Sequence, residues 1–476
     1  MTSPTTNNHC GWPTLSCRHW QAQFLTLVLV TVLCVVILAG CAPTPEANVI
    51  GYLISDWTGR LRAEYEGPRG RISGVVLADG RPLAGATVLV AERNAQTHTA
   101  QSGADGTYTI QGVPPGRYVP AAVAPGFREA QLQQPLGTPQ VISVHEGEET
   151  VVPPLQLSPY VPPPLPKPLA PVVDLTVTTR FVATTTFPVA AEARVTAYRF
   201  TYAGAQVDTL RLYLPATLAD APAATGADAT TDFPMLYMVY PTAVDLWQSI
   251  SVAYAVQGYA VLAISPVAAR GLDIDGHAAD ARVGLALAQE GALSEQIRRG
   301  PTVALGGSFS SAVLHRLLRG NQPGVEPAAG EEVALSHTII GWVTVGGITD
   351  AFQGTTAFYR GELMIPPEYQ YLIPALGAPN LYPLAFLRYS PVYTAAQLPP
   401  TLIIHTDADQ IIPITQAYAL EAALRQANVP VDVFYYEDVS HYLQIDDQMT
   451  DAGREMFYIV LDFADRMLKR EEKREK

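Results

Sequence analysis

The chain has 476 residues, of which 48% are hydrophobic and only 16% are charged, so it is long enough for two to four domains with buried cores. Its formal net charge of −14 and its lack of a basic patch argue against a nucleic-acid partner. All four cysteines lie at positions 10, 17, 34 and 41, so the rest of the chain holds neither a disulfide nor a thiolate metal site.

The N-terminal region contains an apolar run, residues 24–39, which follows Arg18 and is preceded by no acid. It is short for a membrane-spanning helix and typical of a signal-peptide core. It ends in Leu-Ala-Gly-Cys at residues 38–41, which resembles the lipobox of bacterial lipoproteins. The resemblance implies a signal peptide over 1–41, acylation of Cys41, and a lipid anchor on the extracytoplasmic side of the cell membrane. A plain transmembrane anchor with an incidental cysteine is the alternative.

Residues 42–71 are interpreted as a tether, and residues 72–158 contain short β-like runs separated by turns such as Asp79-Gly80 and Asp105-Gly106. Strands at this spacing predict a small antiparallel β sandwich. The pattern Gly-x-Pro-Leu-x-Gly-Ala-x-Val, followed by Asp-Gly-x-Tyr-x-Ile and Pro-Pro-Gly-x-Tyr, resembles the carboxypeptidase regulatory-like (transthyretin-like) domain. The resemblance implies a spacer, docking or carbohydrate-facing module without a catalytic group.

A proline-rich linker at 159–172 separates this domain from residues 173–470, where continuous apolar runs alternate with helix-compatible stretches; a charged tail follows at 471–476. This alternation predicts an α/β domain with a doubly covered, mostly parallel sheet. Reactive groups in such sheets lie at the carboxyl ends of the strands.

One apolar run ends in Gly306-Gly307-Ser308 and leads into a helix-compatible stretch, which is the layout of a nucleophile elbow. The pattern here is Gly-x-Ser-x-Ser, with Ser310 in place of the usual glycine. Taken alone the pattern is weak, because Gly/Ser-rich turns between a strand and a helix are common.

Candidate partners for Ser308 follow two later strands. Asp409 comes after the apolar run 401–405, and His441 comes after the run 431–436, so the chain order is Ser, Asp, His. That is the order of the α/β hydrolases. Asp407, on the same loop as Asp409, and Asp350, after another strand, are alternative acids.

The stretch 400–413, Pro-Thr-Leu-Ile-Ile-His-Thr-Asp-Ala-Asp-Gln-Ile-Ile-Pro, resembles the prolyl oligopeptidase-like and dienelactone-hydrolase-like families. The resemblance implies an α/β-hydrolase fold in which Asp409 is the triad acid and His441 the base. In these roles His441 removes the proton of Ser308, and Asp409 holds the histidine in the required tautomer.

An oxyanion hole needs two donors, which we expect to be the N–H of Phe309 and an N–H of Thr242 or Ala243, after the strand 233–240. Esterases often carry His-Gly-Gly at the second place, but this chain has Tyr240-Pro241-Thr242, and proline has no N–H. The resemblance to prolyl oligopeptidase-like enzymes allows the hydroxyl of Tyr240 to act as the replacement donor.

An insertion at 350–390 falls where many α/β hydrolases place a lid. It is rich in aromatic residues, which either line an acyl or side-chain pocket or pack the lid onto the body. These residues are Phe352, Phe358, Tyr359, Tyr369, Tyr371, Tyr382 and Phe386.

The sequence therefore predicts a membrane-anchored, extracytoplasmic serine hydrolase that cleaves a small ester or peptide substrate. An ester is slightly favoured, because peptidases of the prolyl oligopeptidase type usually bring a β-propeller and this chain has none. The alternatives are such a peptidase, or a non-catalytic binding lipoprotein on a hydrolase scaffold. No cofactor or metal is expected, because no group of His, Asp and Glu shows ligand spacing.

Overall fold

The computed structural model describes residues 65–161, 164–216, 232–319, 338–363, 372–441, 444–445, 448–449 and 451–474. The expected signal peptide, Cys41 and the tether before residue 65 lie outside them. No helix in this part of the chain combines the length and the hydropathy that crossing a membrane requires. Lipidation and membrane attachment stay predictions.

The first domain is a β sandwich. Its strands are β1 (Gly70–Ala78), β2 (Arg81–Pro82), β3 (Thr87–Ala91), β4 (Thr97–Gln101), β5 (Thr107–Val113), β6 (Gly116–Tyr118), β7 (Ala121–Val123), β8 (Ala130–Gln131), β9 (Ile142–Val144), β10 (Glu149–Val151) and β11 (Leu155–Leu157). β1 pairs with β2, β5, β10 and β11, whereas β4, β3, β7 and β8 form a second sheet in that order. In β5, Tyr108 and Ile110 are buried while Thr107 and Thr109 are exposed, so a period of two builds the core.

The second domain is organised around one large mixed sheet. Its strands, with a small hairpin at the end, are β12 (Thr176–Thr185), β13 (Ala191–Tyr202), β14 (Ala205–Pro215), β15 (Phe233–Val239), β16 (Ala260–Ile264), β17 (Ile297–Gly307), β18 (Ile339–Val345), β19 (Thr401–Thr406), β20 (Val431–Tyr436), β21 (Gln444–Ile445) and β22 (Gln448–Met449). The sheet order is β12-β13-β14-β16-β15-β17-β18-β19-β20. β12, β13, β14 and β16 are joined by antiparallel pairs, and every later pair is parallel. The sequence did not predict β12, because most of this edge strand is exposed and its alternation of apolar and polar residues is weak.

The described helices are α1 (Leu169–Val172), α2 (Gln248–Ala255), α3 (Ile274–Gln289), α4 (Phe309–Leu318), α5 (Ala351–Arg360), α6 (Leu372–Ala375), α7 (Pro383–Arg388), α8 (Thr415–Gln426) and α9 (Asp451–Arg474). α9 extends into the segment predicted as a charged tail. α5, α6 and α7 belong to the insertion between β18 and β19.

The central strands are buried on both faces. Alternate residues of β15 point to opposite sides. Tyr237 belongs to the buried cluster that includes residues of α3, α4 and α8, whereas Leu236 belongs to the one that includes residues of α2 and α9. This double burial is why these strands are continuous apolar runs. An α/β-hydrolase sheet of this kind behind a small β sandwich confirms the predicted fold class.

The two domains share a hydrophobic core. In β3, Val88 and Val90 face the interior of the sandwich, whereas Leu89 and Ala91 belong to the same cluster of buried residues as the hydrolase sheet and Phe386. The outer face of β3 is therefore covered by the hydrolase domain, on the side of the insertion.

Candidate active site

The turn between β17 and α4 has the geometry of a nucleophile elbow. Ser308 adopts φ 51° and ψ −128°, a conformation that is strained for a residue with a side chain. The preceding glycines are needed for space. A Cβ on Gly306 would lie 2.7 Å from Leu314 Cδ1, and one on Gly307 would lie 2.6 Å from the carbonyl oxygen of Val345.

Ser310, the residue that departs from the usual pattern, contributes to this turn. It lies inside α4, where its backbone is helical, and it is fully buried. Its hydroxyl donates to the carbonyl oxygen of Gly307 at 2.8 Å and accepts from the Gly307 N–H at 3.2 Å. The serine thus closes the elbow by hydrogen bonds that a glycine would not make.

His441 and Asp409 form a buried pair. The ring nitrogen Nδ1 of His441 lies 2.5 Å from Asp409 Oδ2, and Asp409 Oδ1 accepts from the N–H groups of Ile411 and Ile412 at 2.9 and 2.8 Å. Burial by itself would raise the pKa of Asp409, but hydrogen bonds from His405 and His441 and the charge of His441 hold it well below its usual range. Asp409 therefore stays ionised, and its bond to Nδ1 leaves Nε2 of His441 as the nitrogen that can take up a proton.

The alternative acids have other partners. Asp407 Oδ1 accepts from the N–H of Asp438 at 2.9 Å on the surface. Asp350 caps α5 by accepting from the N–H groups of Phe352 and Gln353, and burial raises its pKa to about 6. The carboxylate that contacts His441 is thus Asp409, the acid that the sequence favoured; its catalytic role stays a prediction.

Gly346 is a residue of the site that the sequence analysis missed. It follows β18 with φ 53°, and a Cβ there would lie 3.1 Å from His441 Cε1 and 3.3 Å from Asp409 Oδ2. Its carbonyl oxygen also accepts from the Ser308 N–H at 3.2 Å. The signal in the sequence was the pair Gly346-Gly347 at the end of an apolar strand.

The expected oxyanion donors differ in their surroundings. Phe309 is the first residue of α4, where an N–H has no acceptor within the helix. Thr242 lines the same cavity as Ser308, and its Oγ1 accepts from Trp247 Nε1 at 2.9 Å.

The Tyr240 hydroxyl, expected as a replacement oxyanion donor, has two internal partners, and Tyr240 also lines the cavity; its role stays a prediction. This hydroxyl is buried, lies 2.7 Å from Ser251 Oγ and donates to Met238 Sδ at 2.9 Å, while the ring stacks on Trp247. Both partners are internal, and the single hydroxyl hydrogen can be donated to one of them at a time.

Ser308 and His441 line one cavity of about 530 Å³. Most of its wall is apolar, and no lysine or arginine is among the described residues that line it. From the insertion, the wall includes Leu363, Ile373, Leu376 and Tyr389. Of the predicted aromatic residues, none that the structure describes lines the cavity, and Phe352 and Phe386 stack on each other in the core instead.

In the described part of the chain, no group of three or more His, Cys, Asp or Glu residues is placed to hold a metal ion.

Comparisons with known proteins agree with this architecture. Residues 71–157 match the carboxypeptidase regulatory-like domain, and residues 368–471 match the prolyl oligopeptidase family. The second match includes Asp409 and His441. No curated protein sequence matches the chain.

Solved structures similar to the chain include three esterases. Esterase 2 of Thermogutta terrifontis with bound propionate is 15% identical, with a TM-score of 0.38, covering 53% of this chain and 88% of that one. An inhibited esterase B from Lactobacillus rhamnosis is 15% identical, with a TM-score of 0.43, covering 56% and 84%. A truncated carbohydrate esterase from gut microbiota is 16% identical, with a TM-score of 0.39, covering 61% and 97%.

With its α/β-hydrolase fold and its match to the prolyl oligopeptidase family, the chain is a serine hydrolase, either an esterase or a peptidase.

Proposed function

We propose that this protein is a carboxylic ester hydrolase with Ser308 as nucleophile, His441 as general base and Asp409 as the orienting acid. The observation that carries the proposal is the shared cavity. The strained Ser308 and the imidazole of His441, held by Asp409, line the same apolar space.

The reaction would proceed through an acyl-enzyme. Nε2 of His441 takes the proton of the Ser308 hydroxyl as its oxygen attacks the ester carbonyl, and the imidazolium is stabilised by ionised Asp409. The N–H of Phe309 and an N–H of the loop at Thr242 or Ala243 stabilise the oxyanion. His441 then returns the proton to the departing alcohol, and a water activated in the same way releases the acid.

The cavity wall favours a neutral, apolar substrate. Asp350 is the one carboxylate among the described lining residues, and its Oδ1 is occupied in capping α5. The wall thus offers no pair of acids for a free amino terminus, which supports an ester over an aminoacyl peptide. The match to the prolyl oligopeptidase family supports the second candidate, a peptidase.

Labelling with a fluorophosphonate probe tests the nucleophile. We expect the purified chain to be labelled and Ser308→Ala to be unlabelled, while Ser143→Ala, which removes an exposed hydroxyl of the β domain, labels like the wild type. Failure of the wild type to react would favour a non-catalytic binding protein. Nitrophenyl esters of increasing chain length, compared with aminoacyl nitroanilides, then separate an esterase from a peptidase.

We also propose that the protein is held on the extracytoplasmic side of the cell membrane by acylated Cys41. The support is the lipobox-like sequence at residues 38–41, which follows the apolar run. Cys41→Ser should leave the precursor uncleaved and unlabelled by a fatty-acid analogue. Normal processing of that variant would refute the anchor.

A further inference from the structure

The interface between the domains contains a buried charge cluster, which consists of Glu129, Arg316, Arg319, Arg388 and Asp275. Glu129 lies after β7 in the β domain, and its side chain is only 3% exposed. Its Oε1 lies 2.9 Å from Arg316 Nη2 and its Oε2 bonds Arg319 Nη1. Arg316 and Arg319, with side chains 7% and 2% exposed, both belong to the hydrolase domain.

Electrostatics makes Glu129 the main counter-ion of this cluster. Burial by itself would raise its pKa, but the charges of Arg316 and Arg319 hold the pKa well below its usual range. The other acid, Asp275, bonds Arg316 Nε at 2.6 Å but is 42% exposed. Loss of Glu129 would therefore leave the two buried guanidinium groups with Asp275 as their one described counter-ion, and that carboxylate is partly solvated.

The arginines connect Glu129 to the helix of the nucleophile. Arg316 lies in the last turn of α4 and Arg319 is its C-terminal cap, while Ser308 is the N-terminal cap of the same helix. Among the described residues, the guanidinium of Arg319 has its partners outside the hydrolase domain. Besides the bond from Nη1 to Glu129, Nη2 donates to the carbonyl oxygen of Phe127 at 2.6 Å, and the group lies over the ring of Tyr160.

A short α-helix is nearly rigid, so fixing one end fixes the other. The ten residues of α4 place the anchored end about 15 Å from Ser308. The direction of the helix axis sets where the N–H of Phe309 points and where the Ser308 hydroxyl emerges. A small tilt at the Arg319 end would therefore alter the position of both groups.

The β domain also holds the segment that covers the cavity. The Val119 N–H donates to the carbonyl oxygen of Asn380 at 2.8 Å, and Asn380 Nδ2 donates to the carbonyl oxygen of Arg117 at 2.8 Å. Arg388, at the end of α7, lies 3.6 Å from Glu129 and precedes Tyr389, which lines the cavity. Both the nucleophile helix and part of the cavity wall are thus in contact with one domain.

We propose that Glu129 is a positioning residue for Ser308. Through Glu129, the β domain helps to set the geometry of the active site. The proposal rests on the proposed function, since it concerns the geometry of that nucleophile. It departs from the spacer or docking role that the resemblance of this domain implied.

The test uses the full chain with Glu129→Gln and the milder Glu129→Asp, which keeps the charge but shortens the side chain by one carbon. The matched control is Glu149→Gln, which removes an exposed carboxylate of the same domain that bonds Arg71 and Ser73. For each variant we would measure the melting temperature, the rate constant of fluorophosphonate labelling, and kcat and KM for a nitrophenyl ester.

At temperatures well below melting, we expect Glu129→Gln to lose about tenfold to hundredfold in kcat and labelling rate with little change in KM. Glu129→Asp should fall between it and the wild type, and Glu149→Gln should match the wild type. A lower melting temperature with unchanged labelling of the folded protein would mean a structural role only and would overturn the proposal.

If Glu129→Gln does not fold, the test of the positioning role rests on Glu129→Asp. A folded Glu129→Asp protein that labels at the wild-type rate would also overturn the proposal. An unlabelled wild type would instead defeat the proposed function itself, so the two failures are distinguishable.

Discussion

At the scale of single residues, Gly346 contacts both parts of the candidate site. Its carbonyl oxygen accepts from the Ser308 N–H, and a Cβ on it would meet His441 and Asp409. Its positive φ and its missing side chain have different structural roles. The φ turns the chain after β18, and the missing Cβ leaves room for the imidazole. The Ser310 hydroxyl bonds both the N–H and the carbonyl oxygen of Gly307, so one side chain makes two hydrogen bonds at the elbow.

Gly346→Ala should impair catalysis more than stability. An alanine there meets His441 Cε1 at 3.1 Å and Asp409 Oδ2 at 3.3 Å, so the imidazole must move. We expect kcat to fall by about tenfold to hundredfold, measured with a nitrophenyl ester.

The control for this change is Gly361→Ala. Gly361 has φ 76° at the end of α5 with nothing near its would-be Cβ, so both variants carry the same backbone cost of about 1–2 kcal/mol. An equal loss of kcat in the two variants would contradict the role assigned to Gly346.

At the scale of elements, α5 begins the insertion and is capped by Asp350, which also lines the cavity. Gln416 of α8 fixes the backbone just before α5, because its Oε1 accepts from the N–H groups of Thr349 and Asp350. Phe352 and Phe386 stack beneath and pack the insertion onto the body, whereas Tyr389 lines the cavity.

Asp350→Asn should keep the cap and change the pH dependence of stability. Burial raises the folded pKa of Asp350 to about 6, above its unfolded value of 3.8. The folded state therefore binds more protons between these values, and the free energy of unfolding falls as pH rises from about 4 to 6. Asparagine caps a helix equally well and does not titrate.

We expect the variant to lack this decline and to be more stable at pH 7 by about 1–3 kcal/mol, measured by urea unfolding at several pH values. Its hydrolase activity should remain. A loss of activity on the scale expected for a triad acid would show that Asp350 takes part in catalysis and does more than cap α5.

At the scale of the whole molecule, the β sandwich and the hydrolase domain behave as one packed body. Leu89, Ala91 and Val123 share a cluster with the hydrolase sheet, and Glu129 lies among arginines of the other domain. A domain interface with both an apolar core and a buried ion cluster is expected to unfold together with the domains it joins.

Glu129→Gln should therefore lower the free energy of unfolding by about 3–5 kcal/mol at pH 7, because it breaks a buried ion pair. The pKa of Glu129 is lowered in the folded state, so its contribution is complete above the unfolded value of 4.5 and is lost as pH falls below it. The difference between variant and wild type should shrink in acid.

Chemical unfolding of both proteins at pH 7 and pH 3 measures this. A difference that is constant with pH would contradict a charge-based contribution. Glu149→Gln should show little difference at either pH, because that carboxylate is solvent-exposed and its ion pair is screened.

The sequence by itself determined the fold class and the order of the candidate groups. Continuous apolar runs indicate a sheet covered on both faces, and small residues around Ser308 indicate a tight turn. Such constraints are local or periodic and can be read along the chain. β12 escaped prediction because an exposed edge strand lacks that periodicity.

Only the tertiary structure decided contacts between residues far apart in the chain. It paired His441 with Asp409 instead of Asp407, and it placed the Tyr240 hydroxyl 2.7 Å from Ser251 Oγ. From the insertion, the described cavity wall has Leu363, Ile373, Leu376 and Tyr389 in place of the aromatic residues named from the sequence. The tertiary structure also placed Glu129 against the nucleophile helix, where it bonds Arg319, a residue 190 positions later in the chain. These outcomes depend on how rigid elements pack in three dimensions, and the spacing of residues in one dimension does not encode which side chains meet.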